Sequence, residues 1–419
     1  MDRFLIRGGR PLKGKVRTAR AKNAVLPLLA ACLLTEETCT ITEVPLLEDV
    51  NTMLKLLKSI GVQVEVKNRR VHIKAVGRLN PEAPYDIVRK MRASYYVLGP
   101  LLARFGDCRV SLPGGCAIGP RPVDLHLKGI AGLGARVRIE RGYIRARAKS
   151  LRGSTMMLEG QKGPSVGATI NTMMAATLAR GETVIEGAAC EPEVEDVARF
   201  LNAMGAKVSG AGSPQVIIQG VRRLSGAEHT PIPDRIEAGT FAVAAAITRG
   251  RLEITNCQPK HLTAVITKLQ EIGARVETDE KSIMVEMKNR PRATKISTAP
   301  FPGFPTDLQA QFTALLSIAA GTSTITENIF ESRFLHALEL NRMGASIDIT
   351  GNMAVIHGVE RLEGAQVMAS DLRASAALVL AGLAARGQTE ILRIYHLDRG
   401  YERLENKLIP LGAEIKRLR

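Results

Sequence analysis

The sequence has no tryptophan, and Phe and Tyr together make up only 4% of its 419 residues. Stacking platforms for bases are therefore scarce, which argues against a nucleic-acid binder built on aromatic interleaving. The six cysteines, Cys32, Cys39, Cys108, Cys116, Cys190 and Cys257, stand apart with no CxxC spacing. They suggest neither a zinc site nor a disulfide framework. His126 and His396 lack neighbours at metal-ligand spacing, so no metal is assigned. Long apolar runs are also missing. The longest, Ala24 to Leu34 and Ala376 to Ala385, fall well short of the ~20 residues a bilayer needs. The start, Met1-Asp2-Arg3-Phe4, runs straight into strand-like sequence, so no secretory leader is expected. The expectation is a soluble, cytoplasmic protein with no membrane partner.

Acidic residues are in the minority: 41 Asp and Glu face 58 Lys and Arg, a net charge of +17. Such a balance can signal nucleic-acid binding. Here the cations are spread along the whole chain. The densest cluster, Lys67-Asn68-Arg69-Arg70, reads as the turn of a hairpin between Val62–Val66 and Val71–Ile73. A solvated basic surface accounts for the charge, and no nucleic-acid partner is assigned.

What is present is apolar and periodic. Apolar residues make up 45% of the chain, enough for a sizeable core and two or three domains. One pattern recurs six times: an apolar helix end, then Gly and a small residue, then alternating residues. Its glycines stand at 61, 134, 205, 273, 344 and 412, so successive copies are 68 to 73 residues apart. Each fits a helix C-terminus that needs a left-handed residue before a strand. A second pattern interleaves, in which an Ala- and Leu-rich helix is followed by a β-branched strand, as from Met174 to Glu186 and from Val243 to Ile254. Such helices are apolar on most sides and must be buried. Strands such as Val137-Arg138-Ile139-Glu140 alternate, so one face meets water. The fold class is α/β, with helices inside and sheets outside.

A ~70-residue unit cannot hide such helices alone, so the copies must cluster, and six divide evenly into three and three. The Pro-rich stretch from His229 to Asp234 lies midway and reads as a linker. The N-terminal strands complete the last repeat. The expected domains are therefore 22–231 and a discontinuous 1–21 plus 232–419.

Polar residues break the pattern at a few places. Leu112 to Pro122 (Leu-Pro-Gly-Gly-Cys-Ala-Ile-Gly-Pro-Arg-Pro) follows a strand-like run and can only be a loop. Its flanks are not core-like, so Cys116 reads as a presented thiol with Arg121 close by. Lys22-Asn23, Lys90-Met91-Arg92 and Asp371-Leu372-Arg373 each place a cation at the start of a small-residue helix, a setting that suits phosphate. Asp307 stands in the first turn of a helix, either as a charge on the helix dipole or as a general base. The loop from Tyr395 to Arg403 is dense in charge and contains Arg399.

The stretch from Pro113 to His126 closely resembles the signature loop of the enolpyruvyl transferases that act on UDP-N-acetylglucosamine. So do Ala21-Lys22-Asn23-Ala24, Lys90-Met91-Arg92-Ala93-Ser94, Pro164–Thr169, Pro233–Glu237, Phe304–Gln311, Asp371–Ser375 and His396–Arg403. The resemblance runs the length of the chain. It implies two inside-out α/β barrel (prism) domains, which agrees with the six ~70-residue repeats. It also implies transfer of enolpyruvyl from phosphoenolpyruvate to the 3-hydroxyl of UDP-N-acetylglucosamine, the first committed step of peptidoglycan synthesis, with no cofactor. By motif, Cys116 would protonate the phosphoenolpyruvate methylene and be the fosfomycin target. Lys22, Arg121 and Arg399 would hold phosphoenolpyruvate, with Asn23 beside them. Asp307 would take the proton of the sugar hydroxyl. The nucleotide sugar would meet Arg92, the segment Arg121, Pro122, Val123, Asp124 and Leu125, the turn Gly163, Pro164, Ser165 and Val166, and also Asp307 and Ile329. Arg373 joins the substrate-binding set.

Two departures stand out. Ala19-Arg20 occurs where the family usually has Ser-Gly, and Cys190 occurs where a basic residue is common. Two other readings remain open at this point: a divergent enolpyruvyl transferase with another nucleotide acceptor, and a non-catalytic basic binding protein on the same scaffold. The sequence specifies no oligomeric state.

Overall fold

The structure, a computed structural model, describes residues 2–112, 123–331 and 333–419. These form two compact units. The middle unit runs from Arg20 to Ile232, and the terminal unit joins the N-terminal residues up to Ala19 to Pro233–Arg419.

Six four-stranded sheets occur among the described residues, three in each unit, all of one design. An edge strand runs parallel to its neighbour, and the remaining pairs are antiparallel. In one example Thr155–Met157 runs parallel to Glu182–Glu186, which is antiparallel to Gln215–Gln219, which in turn pairs with Lys207–Ser209. The strands bury alternate residues, as the side-chain period of two requires. Their inner faces are apolar and their outer faces carry charge.

Each unit closes on itself through strands distant in sequence. In the middle unit Glu228–His229 pairs with Cys39–Ile41. In the terminal unit Arg3–Arg7 lies between Gln388–Leu392 and Glu414–Leu418 and completes the last repeat as expected, whereas Lys13–Arg17, expected there too, pairs with Arg251–Thr255 and completes the sheet of the fourth repeat instead.

Two kinds of helix fill each unit. The first kind is buried all round: in Arg235–Ile247 every residue from Ile236 onward is buried, and in Leu372–Ala384 every residue from Arg373 to Leu383. These two pack on each other and on Gln309–Leu316, and their many Ala residues allow a close approach. The second kind is amphipathic, such as Glu48–Ile60, and buries one face. All six repeat glycines take positive φ, between 86° and 103°, at the turn from helix to strand. The cluster Lys67–Arg70 forms the expected hairpin between Gln63–Lys67 and Arg70–Lys74, with Asn68 and Arg69 both left-handed.

Among the described residues no helix is long and apolar enough to cross a membrane.

Candidate active site

Asp307 stands at the start of a helical run and does more than face a helix N-terminus. It lies in a short 3-10 turn, Thr306–Leu308, ahead of the helix Gln309–Leu316, and its carboxylate faces two guanidiniums. Arg333 Nη2 donates to Oδ1 at 2.6 Å and Arg373 Nη2 donates to Oδ2 at 2.7 Å. The arginine side chains are 6% and 8% exposed, whereas Asp307 keeps 27% of its side chain open. Partial burial alone would raise the Asp307 carboxyl. The Arg373 and Arg333 charges outweigh it and hold the group well below the usual carboxylate range. Each carboxylate oxygen retains a lone pair for a further donor, such as a substrate hydroxyl.

Arg373 is itself fixed from behind. Its Nη1 donates to the Tyr401 hydroxyl at 3.3 Å, and that hydroxyl lies 2.8 Å from Thr240 Oγ1. Gln311 Nε2 reaches Thr240 Oγ1 at 3.2 Å and the Asp307 carbonyl at 3.1 Å. Tyr401 is fully buried, and burial raises its phenol. Asp307 and Arg373 are thereby held by groups that cannot easily move.

The Asp371 helix start differs from the sequence expectation. Asp371 is the N-cap of Leu372–Ala384, and its own carboxylate accepts from the amides of Arg373 and Ala374 at 2.8 and 3.1 Å. Those donors are occupied, so this helix start is not an open anion site. Arg399 ends the 3-10 turn Ile394–Arg399, which packs on the same helix. Ile329 follows the strand Thr322–Thr326, and its amide donates to Glu327 Oε1 at 2.8 Å.

In the middle unit the helix Lys22–Ala31 begins at Lys22 and has no side-chain cap, which leaves its first amides open to an anion. Asn23 lies in its first turn. Lys22 Nζ is 3.0 Å from Asp49 Oδ2, and both side chains are largely buried. The same helix packs on the 3-10 turn Arg92–Val97, which opens with Arg92. Val123 precedes the helix Asp124–Gly132, which begins with Asp124 and Leu125. The ribbon Glu159–Gly160 and Gly163–Pro164 lies against Leu125, close enough that a Cβ on Gly160 would meet its side chain at 3.3 Å. Ser165 then caps the helix Val166–Ala176 by accepting from Ala168 at 3.3 Å. Positions 92, 124–125 and 163–166, far apart in sequence, are therefore set by one group of packed elements. Cys116, Arg121 and Pro122 lie outside the described residues.

Of the two departures, Arg20 has a local explanation, and nothing in the structure explains Cys190. Arg20 makes a two-point ion pair with Glu43, at 3.0 and 2.9 Å, so its extra charge is matched on the spot. Cys190 is part-buried, and burial and the neighbouring Glu191 push its thiol up, which keeps it protonated.

Sequence reasoning missed Asp49, Arg333, Glu327 and Tyr401. Asp49 reads as an ordinary acid in a helix first turn. Arg333 had one weak signal: a lone cation set between Phe330 and Phe334 after a strand.

The chain matches the model of the EPSP synthase (3-phosphoshikimate 1-carboxyvinyltransferase) family over residues 6–408. It is 54% identical over 418 residues to the UDP-N-acetylglucosamine 1-carboxyvinyltransferase of Methylacidiphilum infernorum, covering 100% of this chain and 99% of that one. It is 55% identical, with the same coverage, to the protein of that name from Nitratidesulfovibrio vulgaris. Among solved structures it superposes on the enolpyruvyl transferase NikO from Streptomyces tendae with a TM-score of 0.89 and 25% identity, covering 99% and 98% of the two chains.

Proposed function

We propose that this chain, which belongs to the EPSP synthase (3-phosphoshikimate 1-carboxyvinyltransferase) family, transfers the enolpyruvyl group of phosphoenolpyruvate to the 3-hydroxyl of UDP-N-acetylglucosamine and releases phosphate. The observation that carries the choice of acceptor is identity of 54–55% across the whole chain to enzymes named for that substrate. A shikimate-type acceptor is disfavoured because the Cys116 loop and the Lys22-Asn23 pair are not its pattern.

The chemistry divides between a cation-lined site and an acid–base pair. Lys22, Arg121 and Arg399 hold the phosphate and carboxylate of phosphoenolpyruvate, with Asn23 beside them and the open Lys22 helix start adding amide dipoles. Arg92, the segment 121–125 and the turn 163–166 receive the nucleotide sugar together with Ile329. The sugar 3-hydroxyl adds to C2 of phosphoenolpyruvate while C3 gains a proton from Cys116. A thiol with an ordinary value near ~8.5 is mostly protonated at neutral pH and can supply it. Asp307 receives the hydroxyl proton. Held so far down by its arginines, it is a weak base toward a free alcohol. The proton therefore moves as the C–O bond forms and the hydroxyl becomes acidic. Loss of a C3 proton and of phosphate from the adduct then restores the double bond. In this reading the reaction is the committed entry to peptidoglycan synthesis in the cytoplasm, and fosfomycin alkylates Cys116.

Phosphate release from phosphoenolpyruvate, measured with and without UDP-N-acetylglucosamine, tests the proposal. Acceptor-dependent release that fosfomycin blocks is expected. Release only with a different nucleotide acceptor would move the chain to another branch of the family, and no release with any acceptor would sink the enzymatic reading.

A further inference from the structure

Glu327 follows the strand Thr322–Thr326 and is 2% exposed, yet its carboxylate takes four hydrogen bonds. Oε1 accepts from Thr298 Oγ1 at 2.9 Å, from the Ile329 amide at 2.8 Å and from the Phe330 amide at 3.1 Å. Oε2 accepts from Thr306 Oγ1 at 2.7 Å. A hydroxyl has one proton. With that proton given to Glu327, Thr306 offers only lone pairs to Arg333 Nη1, which donates to it at 2.6 Å. The other arm of the same guanidinium reaches Asp307.

The Arg333 guanidinium also lies over the Phe330 ring, 4.8 Å from its centroid, and the Phe330 main chain is held by Glu327. Arg333 Nε is buried and has no hydrogen-bond partner among the described residues. Apart from Asp307 itself, the supports the structure shows for the guanidinium are thus Thr306 and Phe330, and both are bonded to Glu327.

We propose that Glu327 is a positioning residue of the active site, whose carboxylate directs the Thr306 proton and the 329–330 main chain so that Arg333 is presented to Asp307. The inference rests on the reading of Asp307 as the reacting carboxylate. Only an acceptor on both sides meets the need: Glu327 faces backbone N–H donors on one oxygen and a hydroxyl donor on the other. An amide would turn its NH2 toward one of them and leave a buried donor unmet. The same carboxylate fixes the Ile329 main chain, so one group sets both the base and a wall of the acceptor site.

The test is the titration of Asp307 itself, followed by the carboxyl carbon signal in protein labelled with 13C-aspartate and assigned by its loss in Asp307→Asn. Glu327→Gln, Thr306→Val and Arg333→Met are compared with the parent. A guanidinium beside a carboxylate lowers its titration by about 1–3 units. All three variants are expected to move the Asp307 titration up by about one unit or more. The acid limb of phosphate release moves with it. Arg333→Met shifting alone, with Thr306→Val and Glu327→Gln matching the parent, overturns the proposal. So does an unshifted titration in Arg333→Met. Should Glu327→Gln fail to fold, Thr306→Val decides. Absence of phosphate release in the parent protein refutes the proposed reaction and leaves the titration result to stand by itself.

Discussion

The Lys22 ammonium lies 3.0 Å from the Asp49 carboxylate where two packed helices begin, with only 12% and 6% of the two side chains exposed. Removing the Lys22 ammonium takes a charge partner from a carboxylate in a dry place, a loss of up to about 3–5 kcal/mol for a buried pair. Lys22→Ala is therefore expected to lose both turnover and stability. The double variant Lys22→Ala with Asp49→Asn is expected to regain most of the stability and none of the turnover. Denaturant unfolding beside a phosphate-release assay separates the two losses. A Lys22→Ala protein as stable as the parent would show that the pair contributes little.

Asp307 links the site to pH. Its folded value lies well below its unfolded value, because the Arg373 and Arg333 charges outweigh its partial burial. The two ion pairs therefore stabilise fully above about pH 4 and are lost as pH falls through the folded value. Asp307→Asn is expected to abolish turnover and to lower the unfolding midpoint at neutral pH. The gap between variant and parent should close below about pH 4. A gap that stays constant from pH 7 to pH 3 would contradict the assignment.

His336 works in the same direction, in a higher pH window. It is 2% exposed, and burial with help from Arg333 brings its imidazole down to about 4, against the pull of Asp371. The unfolded chain then binds a proton that the folded chain refuses between about pH 6.5 and about pH 4. Stability of the parent should fall across that window as pH drops, by up to about 1.4 kcal/mol per unit from this one group. His336→Gln is expected to flatten that part of the stability curve. An unchanged slope would mean that the imidazole accepts the proton while folded.

Cys116 carries the fourth prediction, argued from its place in the loop motif. Cys116→Ser is expected to slow turnover greatly and to protect against fosfomycin, since the hydroxyl is a far poorer acid and nucleophile than a thiol. Cys116→Asp supplies a carboxylic acid in its place and is expected to keep activity while resisting the drug. Full fosfomycin sensitivity in Cys116→Ser would remove the thiol from the reaction.

The architecture was legible because its signals are local. Six glycines at near-constant spacing, each between an apolar helix and an alternating strand, announce six copies of one unit. The left-handed backbone at each follows from the helix-to-strand turn alone. Wholly apolar helices beside half-polar strands already demand helices within and sheets around them. The proposed site residues were singled out for another reason: Lys22, Arg92, Asp307, Arg373 and Arg399 are charges in turns where periodicity calls for none.

Their partners were not legible. Asp307 meets Arg333 and Arg373 across 26 and 66 residues of sequence, and Lys22 meets Asp49 across 27. Asp371 looked like a neighbour of an anion site, and it occupies those amide donors itself. Glu327 gave no sign at all, since an acid after a strand is ordinary until its four donors are seen. The sequence by itself determined the repeat, the helix and strand types and the presence of charged turns, because backbone propensity and side-chain period act over a few residues. The tertiary structure alone decided which carboxylate each cation serves. That choice depends on strands such as Arg3–Arg7 and Glu228–His229 closing each unit on itself, so that turns tens of residues apart share one buried place where an unpaired charge is too costly to leave.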